Sequence, residues 1–190
     1  GAFAKLSETP LASLDTAPAL NSFKGFDERV LEKSKCASGK DLPLAGLKVL
    51  DFMWVMAGPI FTRVLSDYGA TVIRVESTTR LDAVRASPPF KNDELEMSNS
   101  VPYSNFNAGK TGVTIDPSNP VGKEVILDLV RWADVVTESF SPKAMKAWGL
   151  DYESLREVNP DLIMVSSCLM GQTGNRAMVP GYGNMAAGIT

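Results

Sequence analysis

The feature of this sequence that most constrains its fold is a repeated alternation of short apolar runs with amphipathic helical patterns. Leu47–Asp51 is an apolar run that predicts a buried strand, and Gly58-Pro59 follows it with proline in the first turn of a helix. Gly69 ends this helix, and Ala70–Val75 predicts a second strand. A strand, a helix and a strand in so short a stretch form a βαβ unit, which requires parallel strands and a right-handed crossover.

The alternation continues along the chain after a long polar loop, which we predict from Glu76 to Ser104. Three further strands are predicted at Gly112–Ile115, Ala133–Thr137 and Leu162–Val165. The predicted helices between them begin at Asn119-Pro120, Ser141-Pro142 and Asp151. We therefore expect an α/β fold, a Rossmann-like open parallel sheet with flanking helices, whose strand order reverses near the loop after the first strand.

Apolar spacing also predicts which helix faces pack on the sheet, because residues at i, i+3, i+4 and i+7 share one face. For the first helix the predicted face consists of Phe61, Val64, Leu65 and Tyr68. For the helix after Asn119 it consists of Val121, Val125, Leu129 and Trp132.

Composition narrows the classes of function. The 190 residues carry 19 basic and 22 acidic side chains, so the basic excess that nucleic-acid binding requires is missing. The apolar runs are too short to cross a bilayer, and we expect a cytoplasmic protein without a membrane partner. The chain has no histidine, which removes Ser-His and Cys-His catalytic pairs and the commonest metal ligand. We predict no metal site, and we expect Cys168 to be a buried, inert thiol.

The residues before the first strand differ from the rest, since they are only weakly periodic and are interrupted by Pro10 and Pro18. Ser34–Leu42 is small, polar and charged, which is typical of a linker. We therefore divide the chain into residues 1–43, an extension with its linker, and residues 44–190, the start of a domain.

Ligands of open α/β sheets bind at the carboxyl ends of the strands, so the loops that follow strands are the candidate site. The first loop, Phe52–Pro59, enters a helix N-terminus that favours an anion such as phosphate. Because it lacks three spaced glycines, a nicotinamide or flavin cofactor is poorly supported. On physical grounds alone, its Met53, Trp54 and Met56 side chains are better explained as packing, since apolar residues are more often core than ligand contacts. In the following loop, Arg80 and Arg85 are either phosphate ligands or surface residues, whereas Glu76 is better explained as structural or surface.

The motifs taken together resemble family III CoA-transferases, a group that includes formyl-CoA transferase and the carnitine and bile-acid CoA-transferases. The resemblance runs from Leu44 to Thr190 through the segments LAGLKVLDF, AGP, DYGATVIRVE, NAGKTGVTID, ADVVTESFSP, GLDYESLREVNPDLIMVSS and GQTG. It implies that CoA is transferred from an acyl-CoA thioester to a carboxylic acid through an aspartyl covalent intermediate. The family's catalytic aspartate lies beyond the position of Tyr182, and we expect it beyond Thr190, so that no catalytic residue is assigned in this chain.

The resemblance also implies where coenzyme A is bound, as a substrate and without any permanently bound cofactor. The family's CoA contacts correspond to Val55, Met56, Ala57, Ile115, Asp116, Ser139, Phe140 and Ser141. The chain departs from the family at Ser77, where relatives often have arginine, and at Lys143, where many have glycine. The CoA phosphates are therefore assigned to Arg80, Arg85 or Lys143 without a choice among them.

Alternatives to a transferase remain. The family includes acyl-CoA racemases, but these use a histidine and an aspartate where this chain has Gly181-Tyr182-Gly183, so a racemase is disfavoured. A non-catalytic CoA-binding half of a tandem protein is the main alternative, because residues 16–20 and 27–31 faintly resemble the end of a similar domain. A nucleotide-dependent oxidoreductase is a more distant one. In either favoured case, the resemblance implies a homodimer or a fused pair of halves.

Overall fold

The computed structural model of the chain describes residues 42–172 and 174–188. Most of the predicted extension and linker, residues 1–43, therefore lies outside the described residues, as do Thr173, Ile189 and Thr190.

A five-stranded parallel sheet organises the described residues. Its strands are β1 Lys48–Phe52, β2 Thr71–Glu76, β3 Thr111–Thr114, β4 Val135–Glu138 and β5 Ile163–Ser166. They are ordered β3-β2-β1-β4-β5, and every neighbouring pair is parallel. Val49 lies opposite Val72 on β2 and opposite Val135 on β4. The predicted α/β fold is confirmed, with strand ends shifted by one or two residues.

Six helices connect and flank the strands of the described region. They are α1 Ala57–Asp67, α2 Val101–Phe106, α3 Pro120–Trp132, α4 Pro142–Trp148, α5 Tyr152–Val158 and α6 Gly183–Ala187. Right-handed crossovers place α1 and α2 on one face of the sheet and α3 and α5 on the other, and these helices contact each other in those pairs. The predicted caps are confirmed: Asn119 accepts from the N–H of Val121, and Gly149 ends α4 with φ 65°.

The core lies around the central strands because these are covered on both faces. Every residue of β1 and β4 is buried, whereas β3 and β5 at the sheet edges are largely exposed. Among the side chains with no exposed surface are Val49, Leu50, Ile126, Val130 and Val136. The carboxyl ends of β1 and β4, where the strand order reverses, are therefore held by a packed core.

The predicted inner face of α1 is wrong except at Leu65, which packs against the core. Phe61, Val64 and Tyr68 are exposed, and the buried residues are Gly58, Pro59 and Thr62. A hydrogen bond explains this orientation of the helix, because the Thr62 hydroxyl donates to the buried carboxylate of Asp51 at 2.7 Å. That bond turns the threonine face inward and leaves the larger apolar side chains outside.

The predicted face of α3 is also only half correct. Leu129 and Trp132 are buried as expected, but Val121 is 73% exposed and Val125 is 44% exposed. The stripe that meets the core is centred on Ile126 and Val130 instead. Each residue turns a helix by about 100°, so Val125 lies to one side of Ile126 and misses the sheet.

The long loop predicted from Glu76 to Ser104 is shorter than expected, because its last part is helical. It contains 3-10 turns at Ala83–Ala86 and Lys91–Asp93, and α2 begins before Ser104. Buried Ser100 caps α2 and donates its hydroxyl to the Val84 carbonyl at 2.8 Å. This loop is therefore a packed part of the domain.

We expect Gly122→Ala to destabilise the protein by about 1–3 kcal/mol, because overpacking forces the backbone to move. A Cβ at Gly122 would clash with the Asp116 carbonyl oxygen and would lie 3.2 Å from Ile115 Cγ2. Gly112→Ala is the matched control, since a Cβ there meets no atom within 4 Å. Urea unfolding of the full-length protein checks this pair, and equal midpoints for the two variants would contradict it.

Candidate functional site

The first loop, after β1, and the loop after β4 meet at the carboxyl ends of these strands, where the strand order reverses. The backbone N–H of Trp54 donates to the Ser139 hydroxyl at 2.8 Å. The rings of Trp54 and Phe140 pack edge to face with centroids 5.2 Å apart, and Phe140 packs against Trp148 in the same way at 5.4 Å. Such a crevice is where open α/β sheets bind ligands.

The structure thus brings together six of the predicted CoA contacts, which sit on these two loops and the helix starts that follow them. They are Val55, Met56, Ala57, Ser139, Phe140 and Ser141. Met56 is 53% exposed, and no side chain caps the N-terminus of α1. In the first turn of α1, Pro59 has no N–H and the Ile60 N–H donates to the Met56 carbonyl, so the N–H groups left for an anionic ligand are those of Ala57 and Gly58.

The other two predicted contacts, Ile115 and Asp116, follow β3 and lie farther along the same sheet edge. The Ile115 N–H donates to the Glu76 carbonyl at 2.8 Å, and the Asp116 carboxylate accepts from the Thr79 hydroxyl at 3.1 Å. A hydrogen bond from the Ser118 N–H, with the one from Thr79, lowers the pKa of Asp116. β3 is two strands from β1, about 10 Å at the usual spacing, so only an extended ligand would reach both groups.

A buried charge cluster lies behind the first loop. Arg74 pairs with Glu76 at 2.7 Å and with Asp82 at 2.6 Å, and all three side chains are less than one tenth exposed. Arg85 pairs with Glu76 at 2.8 Å and stacks over the Tyr103 ring at 3.7 Å. The structural interpretation of Glu76 agrees with this geometry.

One of the three cations considered for phosphate, Arg85, belongs to this cluster. The Arg85 guanidinium donates hydrogen bonds to Glu76 and to the Tyr103 hydroxyl, so its charge is already paired within the domain. Arg80 and Lys143 are exposed, and neither side chain takes part in an ion pair within the described region. Of the three cations, Arg80 and Lys143 are therefore the exposed ones, whereas Arg85 is half-buried.

The cluster makes stability depend on acid pH. Burial alone would raise the pKa of Glu76, but hydrogen bonds from Arg85 and the Asp82 N–H, with the charge of Arg74, outweigh it and lower the pKa to about 2. Because the folded pKa lies below the ordinary 4.5, the Glu76 contribution is present above pH 4.5 and is lost as pH falls toward 2.

We therefore expect Glu76→Gln to be less stable than the wild type at pH 7, with a difference that shrinks as pH falls from 5 to 3. Urea unfolding at a series of pH values measures both free energies of unfolding. A difference that stays constant over this range would contradict the assignment.

A cleft of about 420 Å³ opens beside the first loop. Its lining consists of Met53, Ala57, Gly58, Phe61, Val165, Ser166, Ser167, Cys168 and Gly171. Cys168 is half-buried there, so the expectation of a buried thiol is wrong: β5 is an edge strand, and its end is not covered. The cleft joins the N-terminus of α1 to the loop after β5.

Sequence reasoning missed the buried acid Glu138 at the end of β4, which is 2% exposed. It accepts from the Phe140 N–H at 2.7 Å and from the Gln172 amide at 3.2 Å, and burial raises its pKa. The available signal was a charged residue ending an apolar strand. Asp82 and Lys110 were missed for another reason: the bond from Asp82 to Val55 spans 27 positions, and the bond from Lys110 to Asp51 spans 59.

None of the helices in residues 42–172 and 174–188 has the length and apolar character needed to span a membrane.

The family model of CoA-transferase family III matches residues 44–190. A succinate–glutarate CoA-transferase from Agrobacterium fabrum is 40% identical over 150 residues, covering 78% of this chain and 38% of that protein. An acyl-CoA transferase from Fusarium pseudograminearum is 34% identical over 185 residues, covering 95% of this chain and 39% of its own length.

A solved structure of a CaiB/BaiF family protein from Brucella suis is similar with a TM-score of 0.71 and 38% identity, over 79% of this chain and 39% of that one. The chain thus spans about two fifths of the length of these relatives. With the family model covering residues 44–190 and these identities, the chain belongs to CoA-transferase family III.

Proposed function

We propose that the full-length protein transfers coenzyme A between an acyl-CoA thioester and a carboxylic acid. In this proposal residues 44–190 are the N-terminal part of a CoA-transferase domain and supply its CoA-binding loops. Coenzyme A is a substrate here, and no other cofactor is required. The observation that carries the proposal is the crevice between β1 and β4, where Val55–Ala57 and Ser139–Ser141 are joined by the Trp54 and Ser139 hydrogen bond.

The proposed chemistry uses an aspartate beyond Thr190. Its carboxylate attacks the thioester carbonyl, which forms a mixed anhydride and releases the CoA thiolate. The thiolate attacks the aspartyl carbonyl, which releases the donor acid and leaves an aspartyl CoA thioester. The acceptor carboxylate then repeats these two steps in reverse, which yields the new acyl-CoA and restores the aspartate.

The residues of this chain serve that reaction by binding. The open N–H groups at the start of α1 suit an anionic group, and the Phe140 ring with Trp54 forms an apolar wall beside them. Arg80 near Asp116 and Lys143 at the start of α4 are the proposed phosphate ligands. A large ligand held along this edge would bring its thioester toward residues outside this chain.

We also propose that the site is completed by a second copy or by a fused half, as a homodimer or tandem protein. The support is apolar surface along α1: Met56 before its first residue and Tyr68 after its last are each more than half exposed, and Phe61 is 42% exposed. Large exposed apolar side chains on one helix favour an interface. Residues 1–43 are proposed as the tail of a preceding half or an N-terminal extension.

The test uses the full-length protein with succinyl-CoA and a panel of free acids that includes glutarate, malate and oxalate, with mass spectrometry of the acyl-CoA products. A new acyl-CoA that accumulates in proportion to enzyme supports the transferase. Binding of CoA without exchange across a broad acid panel would favour the non-catalytic half instead. Calorimetric titration with CoA and NAD separates both from an oxidoreductase, which alone would bind NAD.

Phe140→Ala should weaken CoA binding about 2- to 12-fold, because aromatic packing of this kind is worth about 0.5–1.5 kcal/mol. Tyr152→Ala is the matched control, since this aromatic residue is 40% exposed on α5 and is not part of the Trp54, Phe140 and Trp148 packing. Calorimetric dissociation constants for CoA measure both changes. Equal constants for the two variants would remove Phe140 from the proposed site.

A further inference from the structure

The first loop contains a backbone conformation that its sequence disfavours. Val55 has φ 69°, in the left-handed region. A β-branched residue is strained there because its side chain crowds the backbone. Elsewhere in the described region, the non-glycine residues with positive φ are Asn92 and Asp93, which tolerate it better. Something in the structure must therefore hold Val55 in place.

The buried carboxylate of Asp82 provides that restraint. The Val55 N–H donates to Asp82 Oδ1 and to Oδ2, each at 3.1 Å. These residues are 27 positions apart, so the bond joins the first loop to the loop after β2. It is a charge-assisted bond in a partly buried position, and such bonds are stronger than neutral ones.

Asp82 is itself fixed on its other sides. Oδ2 accepts from Arg74 Nη2 at 2.6 Å, and Oδ1 accepts from the Val84 N–H at 3.0 Å. The Asp82 N–H donates to Glu76 Oε1 at 2.8 Å. The side chain has no exposed surface, so it cannot follow Val55 if the loop moves. The restraint is therefore rigid.

We propose that Asp82 is a positioning residue, which holds Val55 in its left-handed conformation and thereby sets Met56 and Ala57 for CoA binding. This inference rests on the proposed function, because it assigns the loop a ligand. Without Asp82, the steric preference of valine turns the backbone at Val55 and displaces the residues that start α1. Asp82 touches no ligand itself and acts through the loop.

A double-mutant cycle separates this role from a general loss of stability. Glycine adopts the left-handed conformation without steric cost, so Val55→Gly makes the loop less dependent on Asp82. We expect Asp82→Ala to raise KM for the acyl-CoA about 10-fold in the wild-type background and about threefold or less in the Val55→Gly background, with kcat changed less than KM. Asp82→Asn, which keeps one acceptor oxygen, should fall between Asp82→Ala and the wild type.

The experiment is done on the full-length protein, with Asp128→Ala as the control because that acid is exposed on α3 and far from the loop. Equal KM factors for Asp82→Ala in the two backgrounds would overturn the proposal. So would an Asp82→Ala variant that folds and binds acyl-CoA as tightly as the wild type.

Hydrogen exchange without ligand keeps this test apart from that of the proposed function. In the wild type, the Val55 amide should exchange slowly, and Asp82→Ala should make it fast while Asp128→Ala leaves it slow. If Asp82→Ala does not fold, the wild-type rate decides: slow exchange supports the proposal, and exchange at the rate of an unprotected amide overturns it. A protein with a protected Val55 amide that binds no CoA would refute the proposed function while leaving the restraint intact.

Discussion

Lys110→Met is expected to lower the free energy of unfolding by about 3–5 kcal/mol, the cost of leaving a buried charge without its partner. Lys110 Nζ lies 2.9 Å from Asp51 Oδ2, and both side chains are almost wholly inaccessible to solvent. Burial lowers the pKa of Lys110, although the charge of Asp51 opposes that shift. Methionine would fill the space of the lysine stem but leave the Asp51 carboxylate in the core.

Asp51 also accepts hydrogen bonds from the hydroxyls of Thr62 and Thr137 and from the Met53 N–H. A carboxylate that moves after the loss of Lys110 would therefore disturb these bonds as well. Lys146→Met is the matched control, because Lys146 is exposed in the last turn of α4 and should change stability by less than about 1 kcal/mol. Urea unfolding of the full-length variants measures both values. Similar small changes for the two lysines would show that the buried pair contributes little.

Arg74→Met should have an effect of the same size, about 3–5 kcal/mol, because it leaves two buried carboxylates with fewer partners. Asp82 loses its ion pair, whereas Glu76 retains Arg85. The variant should also weaken CoA binding, since Asp82 restrains Val55. Unfolding midpoints in urea and calorimetric titration with CoA on one preparation give both results.

Arg131→Met provides the comparison for a surface pair. Arg131 pairs with Asp128 one turn earlier on α3, and both side chains are more than half exposed. Such pairs contribute about 0.2–1 kcal/mol or nothing measurable. If Arg74→Met and Arg131→Met changed stability equally, the buried cluster behind the first loop would not have the importance assigned to it.

Local signals explain why much of the fold is predictable from the sequence. The caps at Asn119 and Asp151 and the stop at Gly149 act within a few residues, so their effects can be read directly. Strand and helix alternation then implies a parallel sheet. The reversal of strand order next to the first loop was expected on the same grounds and is observed.

The inner faces of the helices were harder to predict because they depend on distant partners. Thr62 faces inward since it binds Asp51, which also holds Lys110 from 59 positions away. Apolar periodicity carries no information about such polar contacts. It therefore assigned Phe61 and Tyr68 to the core, where the structure exposes them.

The candidate site was predictable only as far as its loops. Strand ends identified the first loop and the one at Phe140, and the crevice between them agrees with that expectation. The residues that support the first loop were not predictable, because Asp82 contacts it from a loop with no periodic pattern, and Tyr103 contacts Arg85 in the charge cluster from the short helix α2. The ion pair between Arg85 and Glu76 was likewise not predictable, because no local sequence signal indicates it.

The central claim is that this chain supplies CoA-binding loops to a transferase whose nucleophile lies beyond Thr190. Its most direct test is to incubate the full-length protein with an acyl-CoA, treat it with hydroxylamine to trap an aspartyl thioester as a hydroxamate, and map the modified peptide by mass spectrometry. We predict one modified aspartate outside residues 1–190 and none at Asp51 or Asp116. A modified aspartate within residues 1–190, or turnover with no modified aspartate at all, would contradict the claim.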